Sequence, residues 1–245
     1  MSWHLGRLAA FDTETTGIDP ERDRIVTAAV SLVGARIESE HRDWLLDPGI
    51  EIPAGATAVH GISTERARTQ GMHPRFAIEE ITSILAAYLR QSTPIVAFNA
   101  RFDLTILDRE ARRHGIVPLV DRVGGVDGLA VIDPYVLDKQ VERFRPGKRT
   151  LEAVCDLYGV SLEQAHAANA DALAAARVAY RLATRTAELR ALDLRDLHSR
   201  QTEWAAQQAA SLQEYFERNG RPERVEGAWP VVPIAATAPA DALAA

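Results

Sequence analysis

Cysteine is almost missing from this 245-residue chain, where Cys155 stands alone. One cysteine cannot close an intramolecular disulfide or build a thiolate metal cluster, and a reducing compartment, the cytoplasm, is expected. Lysine is nearly as scarce: only Lys139 and Lys148 occur, so arginine carries the basic charge. The formal net charge is −6, which argues against passive coating of nucleic acid by a basic surface. It leaves room for an enzyme that meets phosphate through metal ions and a few arginines. No apolar run approaches the roughly 18 to 20 residues needed to cross a bilayer. The opening MSWHLGR lacks the basic start and apolar core of a secretory signal. No internal repeat is visible. The one low-complexity stretch is 235–245, rich in Ala, Pro and Asp, which is expected to be disordered.

What remains is ordinary for a globular protein, with 47% hydrophobic and 25% charged residues. The length suits one large domain or one domain with an appendage. Apolar and β-branched runs predict strands over 8–11, 25–33, 36–46, 94–98 and 129–132. Gly34-Ala35 reads as a hairpin between the second and third. Helical spacing and stop signals predict helices over 76–89, 102–114 (closing at Gly115), 150–158 (ended by Gly159) and 170–192. This order implies an α/β fold: a mixed five-stranded sheet flanked by helices, antiparallel at its start and parallel at its end. The core reads as complete in 1–192. An extension over 193–234 holds a further helix, 198–219, stopped by Gly220 and Pro222, and Trp229-Pro-Val-Val-Pro is expected to dock on the body.

The segment AAFDTETTG, Ala9 to Gly17, ends a strand in two acids. Side chains two apart on a strand share a face, so Asp12 and Glu14 project together. Two carboxylates so close repel unless a cation lies between them, and oxygen-only ligands suit Mg²⁺ or Mn²⁺. A simple turn, with Asp and Thr as caps and Gly17 as breaker, is the plainer alternative. In IVAFNARFDLTIL, Asn99 reads as a helix cap and Asp103 lies in the first turn. If this strand neighbours the first, Asp103 faces Asp12 and Glu14; by itself it merely complements the helix dipole. In AHAANADALAAA, His166 and Asp171 are five apart, roughly 140° around a helix, and cannot share a face. A helix starting near Asn169 as its cap resolves this, with Asp171 in the first turn and His166 in a loop, free to swing. Taken singly, each motif has a structural explanation. Together they bring four acids and a histidine to one edge of the sheet.

The ordered set FDTETTG, NARFD and HAANAD resembles the three signatures of the DnaQ-like DEDDh 3′–5′ exonucleases, over roughly residues 7 to 190. The resemblance implies an RNase H-like fold and a phosphodiester hydrolase releasing nucleoside 5′-monophosphates from a free 3′ end. It implies that Asp12, Glu14, Asp103 and Asp171 organise two divalent ions, Mg²⁺ or Mn²⁺, and that His166 is the general base. VHGI, Val59 to Ile62, matches a stretch that lies by the terminal nucleotide in this family. His60, Thr15, Thr16, Asn99 and Phe102 are therefore candidate substrate contacts. Phe98-Asn99 departs from the His-Asn of many members. Single-stranded DNA in proofreading or repair is the expected substrate. RNA 3′-end trimming is the alternative, and an idle interaction module the third reading.

Arg143, Arg145, Lys148 and Arg149 can track a phosphate backbone or simply form a solvated loop. Arg109, Arg112 and Arg113 read as a solvated helix face. The later helix contains QAASLQEYF, faintly like a clamp-binding peptide, although its spacing suits a packing helix better. A polymerase or clamp partner through this helix is an open expectation. A chain ending near residue 192 is expected to fold and to degrade a simple oligonucleotide.

Overall fold

Leu8–Phe11 is buried on both faces, as a central strand requires. In the computed structural model, which describes residues 2–34, 38–162 and 165–234, this run lies within β1 (Arg7–Thr15). β2 (Ile25–Gly34) pairs antiparallel with β1, from Arg7 opposite Gly34 to Thr15 opposite Ile25, and β3 (Glu40–Leu45) pairs antiparallel with β2. The expected turn at Gly34-Ala35 falls partly outside the described residues. Two short helices follow, α1 (Ala54–His60) and α2 (Thr64–Gln70), then α3 (Pro74–Arg90). Next come β4 (Ile95–Val96), α4 (Ala100–Arg113), α5 (Leu119–Arg122) and β5 (Val131–Ile132). The chain continues through α6 (Pro134–Val141), α7 (Leu151–Tyr158), α8 (Ala168–Arg185), α9 (Ala187–Ala191) and α10 (Leu194–Arg218). The sheet order is β3-β2-β1-β4-β5, with β4 parallel to β1 and β5 parallel to β4. This is the expected mixed sheet, and the strand carrying IVAF does lie beside the first.

Local chemistry sets the helix ends. Ser63 and Thr150 accept hydrogen bonds from Arg66 N and Ala153 N at the starts of α2 and α7, and Gly159 closes α7 at φ 66°, where a side chain would be strained. Several element bounds differ from expectation, and short helices appear between the expected ones. α8 starts at Ala168, not after an Asn169 cap, and stops at Arg185, because Thr186 is extended and restarts the chain as α9. α6 was not expected, yet its start is written locally: Asp133 accepts from Tyr135 N at 3.0 Å and Pro134 takes the first helical position. α10 begins at Leu194, four residues before the predicted start, where Asp193 accepts from Asp196 N at 2.8 Å.

One sheet face is covered by α8, through Ala172 and Ala176 against Ala10 and through a cluster that includes Leu8, Val178 and Leu182. The other is covered by α3 and α4, with Phe11, Ile81 and Leu104 in one cluster. α10 crosses the β5 end of the sheet and joins both layers: Leu197 packs in the first and Ala205 in the second, where Trp229 from the segment after α10 also packs. It also satisfies the open edge of β5. His198 Nδ1 accepts from Val131 N at 3.1 Å, Gln201 Nε2 donates to Val131 O at 2.9 Å, and Gln201 Oε1 accepts from Asp133 N at 2.7 Å. An unpaired edge is an aggregation template, and here side chains of α10 occupy it. These contacts weigh against a self-sufficient unit ending near residue 192. A chain cut there is expected to be insoluble or to melt about 10 °C or more below the full chain. An unchanged melting temperature in a soluble truncation would restore the boundary. Among the described residues no helix is long and apolar enough to cross a membrane.

Candidate active site

The twofold repeat of β1 sorts its last residues by face. Asp12 and Glu14 follow Leu8 and Ala10 onto the α8 side, while Thr13 follows Phe11 onto the other. Odd-numbered residues turn their N–H groups toward β4, as Ala9 N shows by donating to Pro94 O at 2.9 Å. β4 ends at Val96, so Thr13 N has no strand partner; it donates instead to Asp103 Oδ1 at 3.0 Å, and Thr13 Oγ1 donates to the same oxygen at 2.7 Å. Asp103, in the first turn of α4, is thereby held at the end of β1. Gly17 closes the motif because a Cβ there would stand 2.5 Å from Asp23 Oδ2. Asp23 pins that turn by accepting from Thr16 Oγ1 at 2.8 Å and Asp19 N at 2.8 Å.

Asp171 lies in the first turn of α8, as expected, and Oδ2 accepts from His166 N at 3.2 Å. His166 is exposed in the preceding loop at φ 66°, with Nε2 3.9 Å from Glu152 Oε1. Glu14, His166 and Asp171 each offer a ligand atom within 4.8 Å of the others, a metal-sized cluster spanning β1 and α8. Glu152, in the first turn of α7, is a further acid here that the sequence reading missed.

All four acids hold their protons abnormally well. Burial, then Asp103, Asp171 and Glu14, pushes the Asp12 carboxyl well above the carboxylate range. Burial, then Asp171 and Asp103, pushes Glu14 up to about 8. Burial lifts Asp103 to about 7 against the two Thr13 hydrogen bonds, and burial also raises Asp171. Elsewhere the chain pairs buried acids with arginine: Asp108 with Arg109 and Arg112, Asp138 with Arg145 and Arg149, Glu110 with Arg113. Among the described residues no such ion pair reaches Asp12, Glu14, Asp103 or Asp171. Asp171 Oδ1 is buried with no hydrogen-bond partner. Four converging carboxylates, one with an orphaned oxygen, fit a hard divalent cation.

The expected substrate contacts separate. His60 ends α1, its Nδ1 accepting from Ile62 N at 3.1 Å, and its Nε2 is buried without a partner beside the Thr15 backbone. Thr15 Oγ1 donates to Gly17 O at 2.6 Å. Thr16 is buried, its hydroxyl is spent within the turn on Asp23 and Arg24 N, and its backbone N–H donates to Arg24 O at 2.9 Å, which leaves only its carbonyl for a ligand. Phe102 is partly buried against the α3/α4 cluster. Asn99 precedes α4 in the left-handed region at φ 59°, but its side chain caps nothing. The capping is done by Asp133, whose carboxylate accepts from Asn99 N at 2.9 Å, Ala100 N at 3.0 Å and Trp229 Nε1 at 3.2 Å. Burial raises its pKa to about 6 against those bonds. Asp133 thus links the extension, through Trp229, to the helix that carries Asp103, and the docking expected of the Trp229 segment is observed.

The expected solvated arginine face holds for Arg112 and Arg113, which are exposed, and is corrected for Arg109. Arg109 is 6% exposed, 2.7 Å from Glu21 Oε1 and 3.0 Å from Val232 O. Arg112 binds Asp108 at 3.0 Å and Arg113 pairs with Glu110. Arg109 and Arg113 tie α4 to the β1–β2 turn through Glu21, and Arg109 also reaches the extension at Val232. Arg145 and Arg149 anchor their loop on buried Asp138, leaving Arg143 and Lys148 exposed.

With this geometry in place, the RNase T exonuclease family matches residues 9–179. A DNA polymerase III subunit epsilon-like protein of Rhodobacter capsulatus is 35% identical over 177 residues, covering 70% of this chain and 23% of that protein. A DNA polymerase III subunit epsilon of Rickettsia prowazekii is 29% identical over 174 residues, covering 68% and 69%. PolC-type DNA polymerase III of Streptococcus agalactiae is 29% identical over 184 residues, of which this chain spans 11%. The chain thus spans less than a quarter of the Rhodobacter and Streptococcus relatives. E. coli exonuclease I in complex with a dT13 oligonucleotide superposes with a TM-score of 0.65 at 21% identity, covering 75% of this chain and 42% of that one. At that identity the likeness is one of fold, and it agrees with the RNase H-like sheet.

Proposed function

The chain belongs to the RNase T exonuclease family, and on that premise we propose that it is a divalent-metal-dependent 3′–5′ exonuclease acting on single-stranded DNA. The observation that carries this reading is the convergence of four carboxylates without an arginine partner, whereas the buried Asp108, Glu110 and Asp138 are paired with arginine and the buried Asp133 is satisfied by backbone N–H groups and Trp229. Asp12, Glu14, Asp103 and Asp171 would hold the ions, Mg²⁺ or Mn²⁺, two per site. When bound, such ions lower the pKa of water, orient it and offset charge on the leaving 3′ oxygen. Thr13 fixes the Asp103 carboxylate for that task. His166 takes the proton from the attacking water, whose oxygen bonds to phosphorus as the P–O3′ bond breaks; the freed 3′ oxygen of the shortened strand takes a proton from solvent, and a nucleoside 5′-monophosphate leaves. Thr15, His60, Asn99 and Phe102 surround the terminal nucleotide, and Thr16 shapes the turn behind it.

The DNA assignment is supported by the polymerase names of the relatives and by the dT13 oligonucleotide of the structural neighbour. The same names support a replicative, proofreading role and a polymerase partner, with repair and a clamp kept as alternatives; Leu212 and Tyr215 on the exposed side of α10 are the surface offered to a partner. A cytoplasmic setting suits the lone buried thiol. The test compares 5′-labelled single-stranded DNA, duplex DNA and short RNA with Mg²⁺. Single-stranded DNA is expected to shorten one nucleotide at a time, at least about tenfold faster than RNA. Faster RNA trimming would overturn the substrate assignment, and no hydrolysis of any of the three would leave an interaction module.

A further inference from the structure

β1, β4 and β5 run parallel, so their carboxyl ends lie on one edge of the sheet. Open α/β sheets bind ligands outside that edge. The four acids occupy it at the end of β1 and at the starts of α4 and α8. The next stretch, beyond β5, is about 10 Å away across two strand spacings, and its chemistry changes sign. Tyr135 and Lys139 are four residues apart on α6, hence on one face, with Lys139 Nζ 4.9 Å from the Tyr135 ring centre. Phe98 packs edge-on against Tyr135 at 5.6 Å. Arg101, in the first turn of α4, shares a cleft with Tyr135 and Lys139. Among the described residues Lys139 has no carboxylate within ion-pair distance although it is half-buried, and the arginines near it push its pKa down after burial does. A cation in that position is left to be satisfied by an anion from outside. Immediately after α6, Phe144 is 90% exposed, with the Arg143 guanidinium 5.6 Å from its ring centre. The Asp138 anchor under Arg145 and Arg149 holds this loop in place.

We propose that Arg101, Lys139 and Phe144 form an upstream subsite for single-stranded nucleic acid. Arg101 and Lys139 hold backbone phosphates just inside the 3′ end, and a base stacks on Phe144. The proposal rests on the exonuclease reading. It explains why an acidic protein with two lysines keeps one of them, half-buried and unpaired, on the edge that carries the acids. A charged groove with an aromatic platform is how a strand is held without reading its sequence.

The test uses the full chain and two substrates: an oligothymidylate, and the p-nitrophenyl ester of thymidine 5′-monophosphate, which has no upstream phosphate or base. The readout is the ratio of kcat/KM for the oligonucleotide to kcat/KM for the ester. Lys139→Gln is expected to lower this ratio about tenfold and to flatten the salt dependence of oligonucleotide KM by about 0.7 in log–log slope. Lys139→Arg should keep both. Phe144→Ala should lower the ratio about tenfold with the salt slope intact. Unchanged ratios in Lys139→Gln and Phe144→Ala, with wild type active on both substrates, overturn the subsite. Equal losses in Lys139→Gln and Lys139→Arg also overturn it, since charge would then not matter. A wild type inactive on both substrates removes the exonuclease reading and the subsite together.

Discussion

Asp12→Asn or Glu14→Gln lowers hydrolysis by more than about 10³-fold and makes the metal-free protein more stable. The two effects have one cause. Each carboxyl titrates higher in the folded chain than in the unfolded one, with Glu14 at about 8 and Asp103 at about 7. The folded state therefore binds more protons, and its stability falls as pH rises. The contribution is fully present below the unfolded value of about 4 and lost as pH climbs through about 7 to 8. Metal-free wild type should lose about 3–6 °C of melting temperature between pH 5 and 9. Each neutral variant should recover part of that loss, and saturating Mn²⁺ should reverse it for wild type alone. Melts in EDTA across this range, with hydrolysis measured in Mg²⁺, check both halves. A variant that melts lower than wild type at pH 9 and keeps its rate would make these acids structural.

Removal of His166 is the second large effect. His166→Ala should lower the rate by about 10² to 10⁴-fold, as expected for a lost general base. Its backbone N–H, which bonds Asp171, survives the substitution, so divalent-ion binding should change little. The proximity of Glu14, His166 and Asp171 makes the opposite outcome informative. If His166→Ala abolishes Mn²⁺ binding in a calorimetric titration, the imidazole is a ligand and the base lies elsewhere. Glu152, 3.9 Å from the ring, would then be the first group to test.

The acids were legible because each sits where a strand ends or a helix starts, and those signals are local. Asp12 and Glu14 share a face by strand periodicity, while Asp103 and Asp171 fall in first turns. What was not legible depends on partners far along the chain. Thr13 was passed over because its partner, Asp103, is 90 residues away and lies beyond the end of β4. Arg109 looked solvated because Glu21 and the carbonyl of Val232 are invisible to helical spacing. Gln201 gave no sign of closing the β5 edge, since the strand it completes is only two residues long. Asp133 and Glu152 carry local signals: Asp-Pro is a helix start, hidden by the short helix after it, and Glu152 is an acid in the first turn after the Thr150 cap. The 192 boundary is left to the truncation experiment: α10 reads as an appendage from sequence, and its buried stripe of Leu197, Gln201, Ala205 and Ala209 depends on partners that helical spacing does not show.

The central claim is that the strand-edge acids exist to hold ions that hydrolyse a 3′-terminal phosphodiester. Its most direct test is a titration of Mn²⁺ into EDTA-stripped full-length protein, with release of nucleoside 5′-monophosphate from single-stranded DNA followed at each step. The account predicts no release without metal, a rate that rises with Mn²⁺ occupancy, and saturation at two ions per chain. Full hydrolysis in EDTA, or Mn²⁺ binding that leaves the rate at zero, would contradict it.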